Sequence, residues 1–177
     1  MRPVSLERVA RALGAELVGG DGEATVRGAA VDSRVVREGE LFFALRGRVD
    51  GADFAPEAHL RGAVATVASR PLEVPTLVVG DPLEALQALA RWSLRGDDGP
   101  VVVGITGSVG KTTTKDALAA ILRSAGKKVS ATEGNFNNEI GLPLTVLAAD
   151  ARTEVLVLEM GATHTGDVEH LCSIAPP

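Results

Sequence analysis

The spacing of apolar positions along this chain changes character near residue 100. Leu6, Val9, Ala10 and Leu13 recur at helical spacing between Ser5, suited to cap a helix, and Gly14, suited to end one. Short strand-like runs follow over 16–18, 26–31, 41–45, 64–68 and 76–79, with a helix predicted over 56–61 between two of them. Asp81-Pro82-Leu83-Glu84 reads as an N-cap, an N1 proline and a capping-box acid, and Leu83, Leu86, Leu89, Ala90 and Leu94 give that helix its apolar stripe. The polar stretch Gly96-Asp97-Asp98-Gly99-Pro100 reads as a linker. Beyond it strand and helix alternate: a strand to Val103, a helix over 110–125 stopped by Gly126, a strand over 128–131, a helix over 141–149, a strand ending at Glu159 and a short helix from Thr165. Such alternation predicts a parallel sheet with ligands at the carboxyl ends of its strands. The expected fold class is therefore α/β, with a small domain over 1–81, a connecting helix and linker over 82–99, and a second domain over 100–177. Three parallel strands make a poor sheet with an exposed edge, so the chain is expected to be a fragment of a longer protein.

The second unit opens with a motif that carries chemistry. An apolar strand runs into Gly104-Ile105-Thr106-Gly107-Ser108-Val109-Gly110-Lys111-Thr112-Thr113 and then into a helix. A glycine-rich turn between strand and helix presents backbone N–H groups and a helix N-terminus to phosphate, Lys111 adds a full positive charge, and the Thr112 hydroxyl can reach Mg²⁺. The usual G-x-x-x-x-G-K-[ST] spacing would put a glycine at Ile105, so this is a variant phosphate loop. The buried-strand pattern Val155-Leu156-Val157-Leu158 ends in Glu159, an acid placed to hold Mg²⁺ while the metal bridges phosphate oxygens. ATP with Mg²⁺ is the expected cofactor pair.

Composition narrows the field. With 45% hydrophobic and 23% charged residues the chain has ample material for a core. A net charge of −5 without a basic patch or tail argues against general nucleic-acid or anionic-membrane binding, and one Trp, four Phe and no Tyr make a base-stacking surface a poor expectation. No stretch approaches the ~20 apolar residues of a membrane span, and no signal-peptide layout is present, so no membrane insertion is expected. Cys172 is the single cysteine, which excludes an internal disulfide, suits a reducing cytoplasm, and reads as a packing residue. His59 and His170 read as surface or packing residues.

The loop Glu133-Gly134-Asn135-Phe136-Asn137-Asn138-Glu139-Ile140-Gly141 is dense in asparagine. These amides could bind phosphate oxygens, metal waters or a carboxylate, or could simply build turns. Taken in order, the block Thr106 to Lys115, the block Gly134 to Thr145 and Leu158-Glu159-Met160-Gly161-Ala162 resemble the Mur ligase family. The Asn-rich block and Ser108-Val109 are most similar to the members that join D-alanyl-D-alanine to UDP-N-acetylmuramoyl-tripeptide in peptidoglycan synthesis, rather than those adding a diamino acid or the folate polyglutamate type. Val31-Asp32-Ser33-Arg34, the block Gly39 to Gly47 and Asp50-Gly51-Ala52-Asp53-Phe54 resemble the family's UDP-substrate-binding domain.

The resemblance implies roles by position. Thr106, Gly107, Ser108, Val109, Gly110, Lys111, Thr112 and Thr113 would bind ATP, with Lys111 and Glu159 carrying the catalytic charge and Thr112 and Glu159 holding Mg²⁺. Asn137 and Asn138 would line the phosphate and substrate channel; Ser33, Arg34 and Arg46 would approach the UDP moiety. His164 lies in a block where the family has Asn at the position of Thr163, and is either a substrate contact or a helix-entry residue without catalytic duty. The implied chemistry is amide formation through an acyl phosphate, by a protein monomeric at full length. The family's central domain continues beyond this length and a C-terminal domain completes its ATP site, so the chain alone is expected to be inactive. Two readings from other classes stay open: a non-catalytic UDP-sugar-binding module with a structural phosphate loop, and a generic phosphate-loop kinase or GTPase that leaves residues 1–80 unexplained.

Overall fold

The structure, a computed structural model, describes residues 1–95 and 99–177; positions 96–98 of the expected linker lie outside the described residues. The chain forms two compact units, one of Arg2–Leu89 and one of Ala90–Pro177 with Met1. In chain order the first unit contains β1 (Val4–Ser5), α1 (Leu6–Leu13), β2 (Glu16–Val18), β3 (Thr25–Val26), β4 (Gly28–Ala30), β5 (Glu40–Phe43), α2 (Ala55–Leu60), β6 (Ala65–Ala68) and β7 (Thr76–Val78). Helix α3 (Pro82–Ser93) runs from this unit into the second, so the division falls inside the connecting helix. Asp81 starts α3 by accepting the N–H of Leu83 at 2.6 Å and of Glu84 at 3.2 Å.

The five-stranded sheet has the order β2-β7-β6-β5-β4, parallel throughout except for the antiparallel β2–β7 pair. All four residues of β6 are buried, as parallel strands covered on both faces are. Alternation along β5 sends Phe42 into a cluster with Ala30, Val36, Ala52, Ala58 and Ala68, and Leu41 and Phe43 to the opposite face. The apolar run 26–31, expected as one strand, is two: β3 pairs antiparallel with β1, while β4 pairs with β5. Periodicity records apolar character but not the change of partner at Arg27. Ser5 occupies the α1 N-cap without a side-chain capping bond, because the carbonyls of Ala24 and Gly22 already accept from Leu6 and Glu7, each at 2.9 Å. Gly14 ends α1 in the left-handed conformation, φ 60°.

The second unit contains β8 (Val101–Ile105), α4 (Lys111–Ser124), β9 (Val129–Ala131), α5 (Gly141–Ala148), β10 (Val155–Glu159) and α6 (Asp167–Ile174). Its parallel sheet has the order β8-β10-β9, so the last strand in sequence is the central one. Every residue of β10 is buried, whereas β8 is an edge strand whose Val101 is 64% exposed. Helix α6 starts at Asp167 rather than Thr165, because the Asp167 carboxylate caps the turn by accepting from Thr163 N and His164 N, both at 2.7 Å. Cys172 packs half-buried, its Sγ 3.7 Å from Met160 Sδ. No helix among the described residues is long and apolar enough to cross a membrane.

Candidate functional site

At the carboxyl end of β8 the chain turns through Thr106–Gly110 into α4. Gly107 and Gly110 have φ of 142° and 80°, values that side chains with a Cβ rarely adopt, and Gly110 forms the N-cap of α4. The loop faces solvent, with Val109 88% exposed, so Ser108 and the loop amides are open to a ligand. The first residue of α4, Lys111, folds back so that Nζ donates to the Gly107 carbonyl at 2.8 Å. That acceptor is neutral, and among the described residues no carboxylate forms an ion pair with the Lys111 ammonium. Thr113 is exposed on the same first turn.

Behind the loop, β10 delivers Glu159, only 3% exposed. The Thr112 hydroxyl donates to Glu159 Oε2 and the Asn137 amide donates to Oε1, each at 2.8 Å. Both partners are neutral, and among the described residues no Lys, Arg or His forms an ion pair with Glu159. A buried carboxylate held only by neutral donors lacks a countercharge, and an oxygen donor set of one carboxylate and one hydroxyl suits Mg²⁺, which takes few protein ligands and completes its shell with water and phosphate. The residues therefore fit the expected metal as a two-residue donor set; no cluster of three or more His, Cys, Asp or Glu side chains that could hold a metal ion occurs among the described residues, here or elsewhere. Thr132, which sequence reasoning did not single out, supports this group: its Oγ1 accepts from Glu159 N at 2.9 Å and its own N–H donates to Val157 O at 3.0 Å.

The Asn-rich loop is fixed from both ends. Asn137 O accepts from Gly161 N at 2.8 Å, and a Cβ on Gly161 would lie 2.9 Å from Asn137 Cγ, so that glycine makes room for the amide. Asn138 acts differently. Its Oδ1 accepts from Gly141 N at 2.8 Å and Ile140 N at 3.2 Å, capping the start of α5 and leaving only its NH₂ free for a ligand. His164 stands apart: its side chain is 84% exposed, and its ring contacts are Thr163 Oγ1 at 2.9 Å and Asp167 Oδ2 at 3.9 Å. Asp167 titrates below the usual carboxylate range, chiefly through the N–H groups of Thr163 and His164.

In the first unit, the expected residues lie beyond the carboxyl ends of β4 and β5. A 3-10 turn over Ser33–Val35 follows β4, and another over Gly51–Phe54 follows β5. Ser33 is buried and donates to Glu57 Oε2 at 2.7 Å, a bond to α2 that the sequence did not disclose. The Arg34 fork pairs with both oxygens of Asp32, Nε at 2.9 Å and Nη2 at 2.6 Å. These contacts, led by the side-chain bond, hold the Asp32 carboxyl down to about 2 and push the Arg34 guanidinium up. Arg46 is exposed and joins Asp50 through an antiparallel bridge; the Asp50 carboxylate accepts from Ala52 N at 3.0 Å and from Arg70 at 3.1 Å. Arg46 and Arg70 both lower the Asp50 titration, after the larger effect of the Ala52 N–H. Arg70 thus joins the basic residues of this edge, a grouping visible only once β6 is set beside β5.

Two family models match the chain: "Mur ligase family, catalytic domain" over residues 25–92 and "Mur ligase middle domain" over residues 105–177. The UDP-N-acetylmuramoyl-tripeptide–D-alanyl-D-alanine ligase of Bacillus subtilis is 42% identical over 161 residues, covering 88% of this chain and 35% of that protein. The chain spans about a third to two-fifths (33–40%) of the length of the curated relatives it matches. Among solved structures, the UDP-N-acetylmuramoylalanyl-D-glutamyl-2,6-diaminopimelate–D-alanyl-D-alanyl ligase of Acinetobacter baumannii superposes with a TM-score of 0.88 at 29% identity, covering 100% of this chain and 40% of that one. The MurF ligase of Thermotoga maritima in complex with ADP gives a TM-score of 0.75 at 44% identity, over 86% of this chain and 36% of that one. With a family model on each unit and a phosphate loop of the geometry described, the chain belongs to the Mur ligase family.

Proposed function

We propose that this chain carries the substrate-nucleotide unit and the phosphate-loop part of an ATP-dependent ligase that joins D-alanyl-D-alanine to UDP-N-acetylmuramoyl-tripeptide. The observation that carries the reading is the buried Glu159 carboxylate, held by Thr112 behind the phosphate loop and without an ion-pair partner among the described residues. Similarity at about 40% identity to ligases of that specificity supports the choice of substrates. In this reading the loop amides and Lys111 hold the phosphates, with Lys111 leaving the Gly107 carbonyl for an anionic oxygen. Mg²⁺, when bound, neutralises charge on the phosphate oxygens, and Thr112 and Glu159 are the residues that would hold it. The tripeptide's terminal carboxylate attacks the γ-phosphorus of ATP with release of ADP. The amine of D-alanyl-D-alanine then displaces phosphate from the acyl carbon, losing a proton as the amide forms. The chain's part in both steps is positioning and charge neutralisation, and no protein nucleophile is required. At the other site, the Arg34 fork turns from Asp32 to the UDP diphosphate, with Arg46 on the neighbouring loop.

A calorimetric titration of the folded chain with UDP-N-acetylmuramoyl-tripeptide tests the reading, with Lys111→Ala as the companion. Binding that UDP competes away, unchanged in Lys111→Ala, is expected. A folded chain that ignores both UDP compounds refutes the assignment of the first unit.

A further inference from the structure

Lys115 is 4% exposed, an unusual place for an ammonium group. It lies on the same face of α4 as Thr112, one turn further on, and donates from Nζ to the Thr132 carbonyl at 2.6 Å. Its second partner, Asp116 Oδ1 at 3.0 Å, belongs to a side chain that is 67% exposed. Thr132 is 2% exposed, and its hydroxyl is the acceptor for the Glu159 N–H. The contacts close a circuit: Thr112 to the Glu159 carboxylate, the Glu159 N–H to the Thr132 hydroxyl, the Thr132 carbonyl to Lys115, and Lys115 back along α4 to Thr112. A buried charge is costly, and a methionine of similar length would fill the same space without that cost. Packing alone therefore gives no reason for lysine here.

We infer that Lys115 is a positioning residue for the Glu159 carboxylate: it fixes Thr132, which fixes the end of β10 and so the direction in which Glu159 faces Thr112. The inference rests on the reading of Thr112 and Glu159 as the Mg²⁺-holding pair. Partners that orient a metal-holding group are worth about 10–100-fold in metal affinity. Losing Lys115 should then reduce the gain that Mg²⁺ gives to nucleotide binding and leave metal-free binding in place.

The test titrates a fluorescent ADP analogue into the wild-type chain and Lys115→Met, in Mg²⁺ and in EDTA. The expected result is a Mg²⁺-dependent gain about 10-fold smaller in Lys115→Met, with little change in EDTA and partial recovery in Lys115→Arg. Equal Mg²⁺ gains, or equal losses with and without metal as a generally loosened α4 would give, overturn the proposal. A metal-free readout stands beside it: hydrogen exchange of the Glu159 amide should accelerate about 10-fold in Lys115→Met, and unchanged protection overturns the proposal whether or not nucleotide binds. Failure of the wild-type chain to bind ADP counts against the nucleotide reading, and the exchange experiment still decides the role of Lys115. Should Lys115→Met not fold, Lys115→Gln, whose amide falls one atom short of the Thr132 carbonyl, weakens the same bond without burying a charge, and the same two outcomes decide.

Discussion

The carboxyl edges of the two sheets arrange their charges in opposite ways. In the first unit two of the cations are already paired, Arg34 with Asp32 and Arg70 with Asp50, while Arg46 is exposed and in no ion pair among the described residues. In the second, the central feature is a buried carboxylate with no ion-pair partner among the described residues, and the loop's lysine rests on a neutral carbonyl. In the proposed reading, a diphosphate that takes up Arg34 draws it from Asp32, whereas Arg46 needs no such exchange. At the second, the same reading has a triphosphate meet a carboxylate that would take a metal arriving with it. The magnitudes agree with this division of labour. Exposed ion pairs such as Arg34–Asp32 contribute little to stability, so giving one up to a ligand costs little. Glu159 at 3% exposure has no such freedom, and its geometry must be built into the fold.

The sheets differ in packing as well, and that difference can be broken by mutation. Leu158 is fully buried in the central strand β10, while Val101 opens the edge strand at 64% exposure. Leu158→Ala should cost about 3 kcal/mol, and Val101→Ala no more than about 0.5 kcal/mol, in urea unfolding. Similar losses from the two would mean that the edge strand is as well packed as the centre. A smaller effect probes the Asn-rich loop. Gly141 begins α5, where alanine ordinarily stabilises by about 0.4–1 kcal/mol. Here its Cβ would lie 2.4 Å from Phe136 Cα, so Gly141→Ala should destabilise by about 1–3 kcal/mol. A gain in stability would show that the loop yields, and that Asn137 is not rigidly aimed at Glu159.

Much of this was legible in the sequence wherever the cause was local. The phosphate loop, Lys111 and Thr112 follow from a strand, a glycine turn and a helix in succession, and Glu159 from a buried-strand pattern ending in an acid. Asp81 as a cap and Gly14 as a stop are likewise set by their neighbours. What stayed hidden depends on pairing across the chain. Lys115 and Thr132 are 17 residues apart and Thr132 and Glu159 are 27 apart, so no spacing rule joins them. Arg70 reaches Asp50 only because β6 lies beside β5, and the run 26–31 divides because two different strands claim its halves. The asparagines show the same limit within one loop: adjacent Asn137 and Asn138 have the same side chain, yet one holds Glu159 and the other caps α5.

The gentlest test of the contrast between the edges is the titration of Asp32. Its folded pKa of about 2 lies below the ordinary 3.8, first because of the Arg34 side-chain bonds and next because of the Arg34 N–H. A carboxyl depressed on folding adds stability that is present above its unfolded pKa and is lost as the pH falls through its folded one, so this contribution fades between 3.8 and about 2. Since the pair is exposed, salt screens it and the effect on stability is small. The carboxyl carbon shift of Asp32 followed by NMR should therefore have its midpoint near 2 at low salt. In Arg34→Gln the midpoint should rise but stay below 3.8, because the backbone N–H remains. UDP should move it the same way by taking the guanidinium. A wild-type midpoint at 3.8 would mean that Arg34 is not held by Asp32 in solution, and the first edge would then present a free cation rather than one a ligand must win.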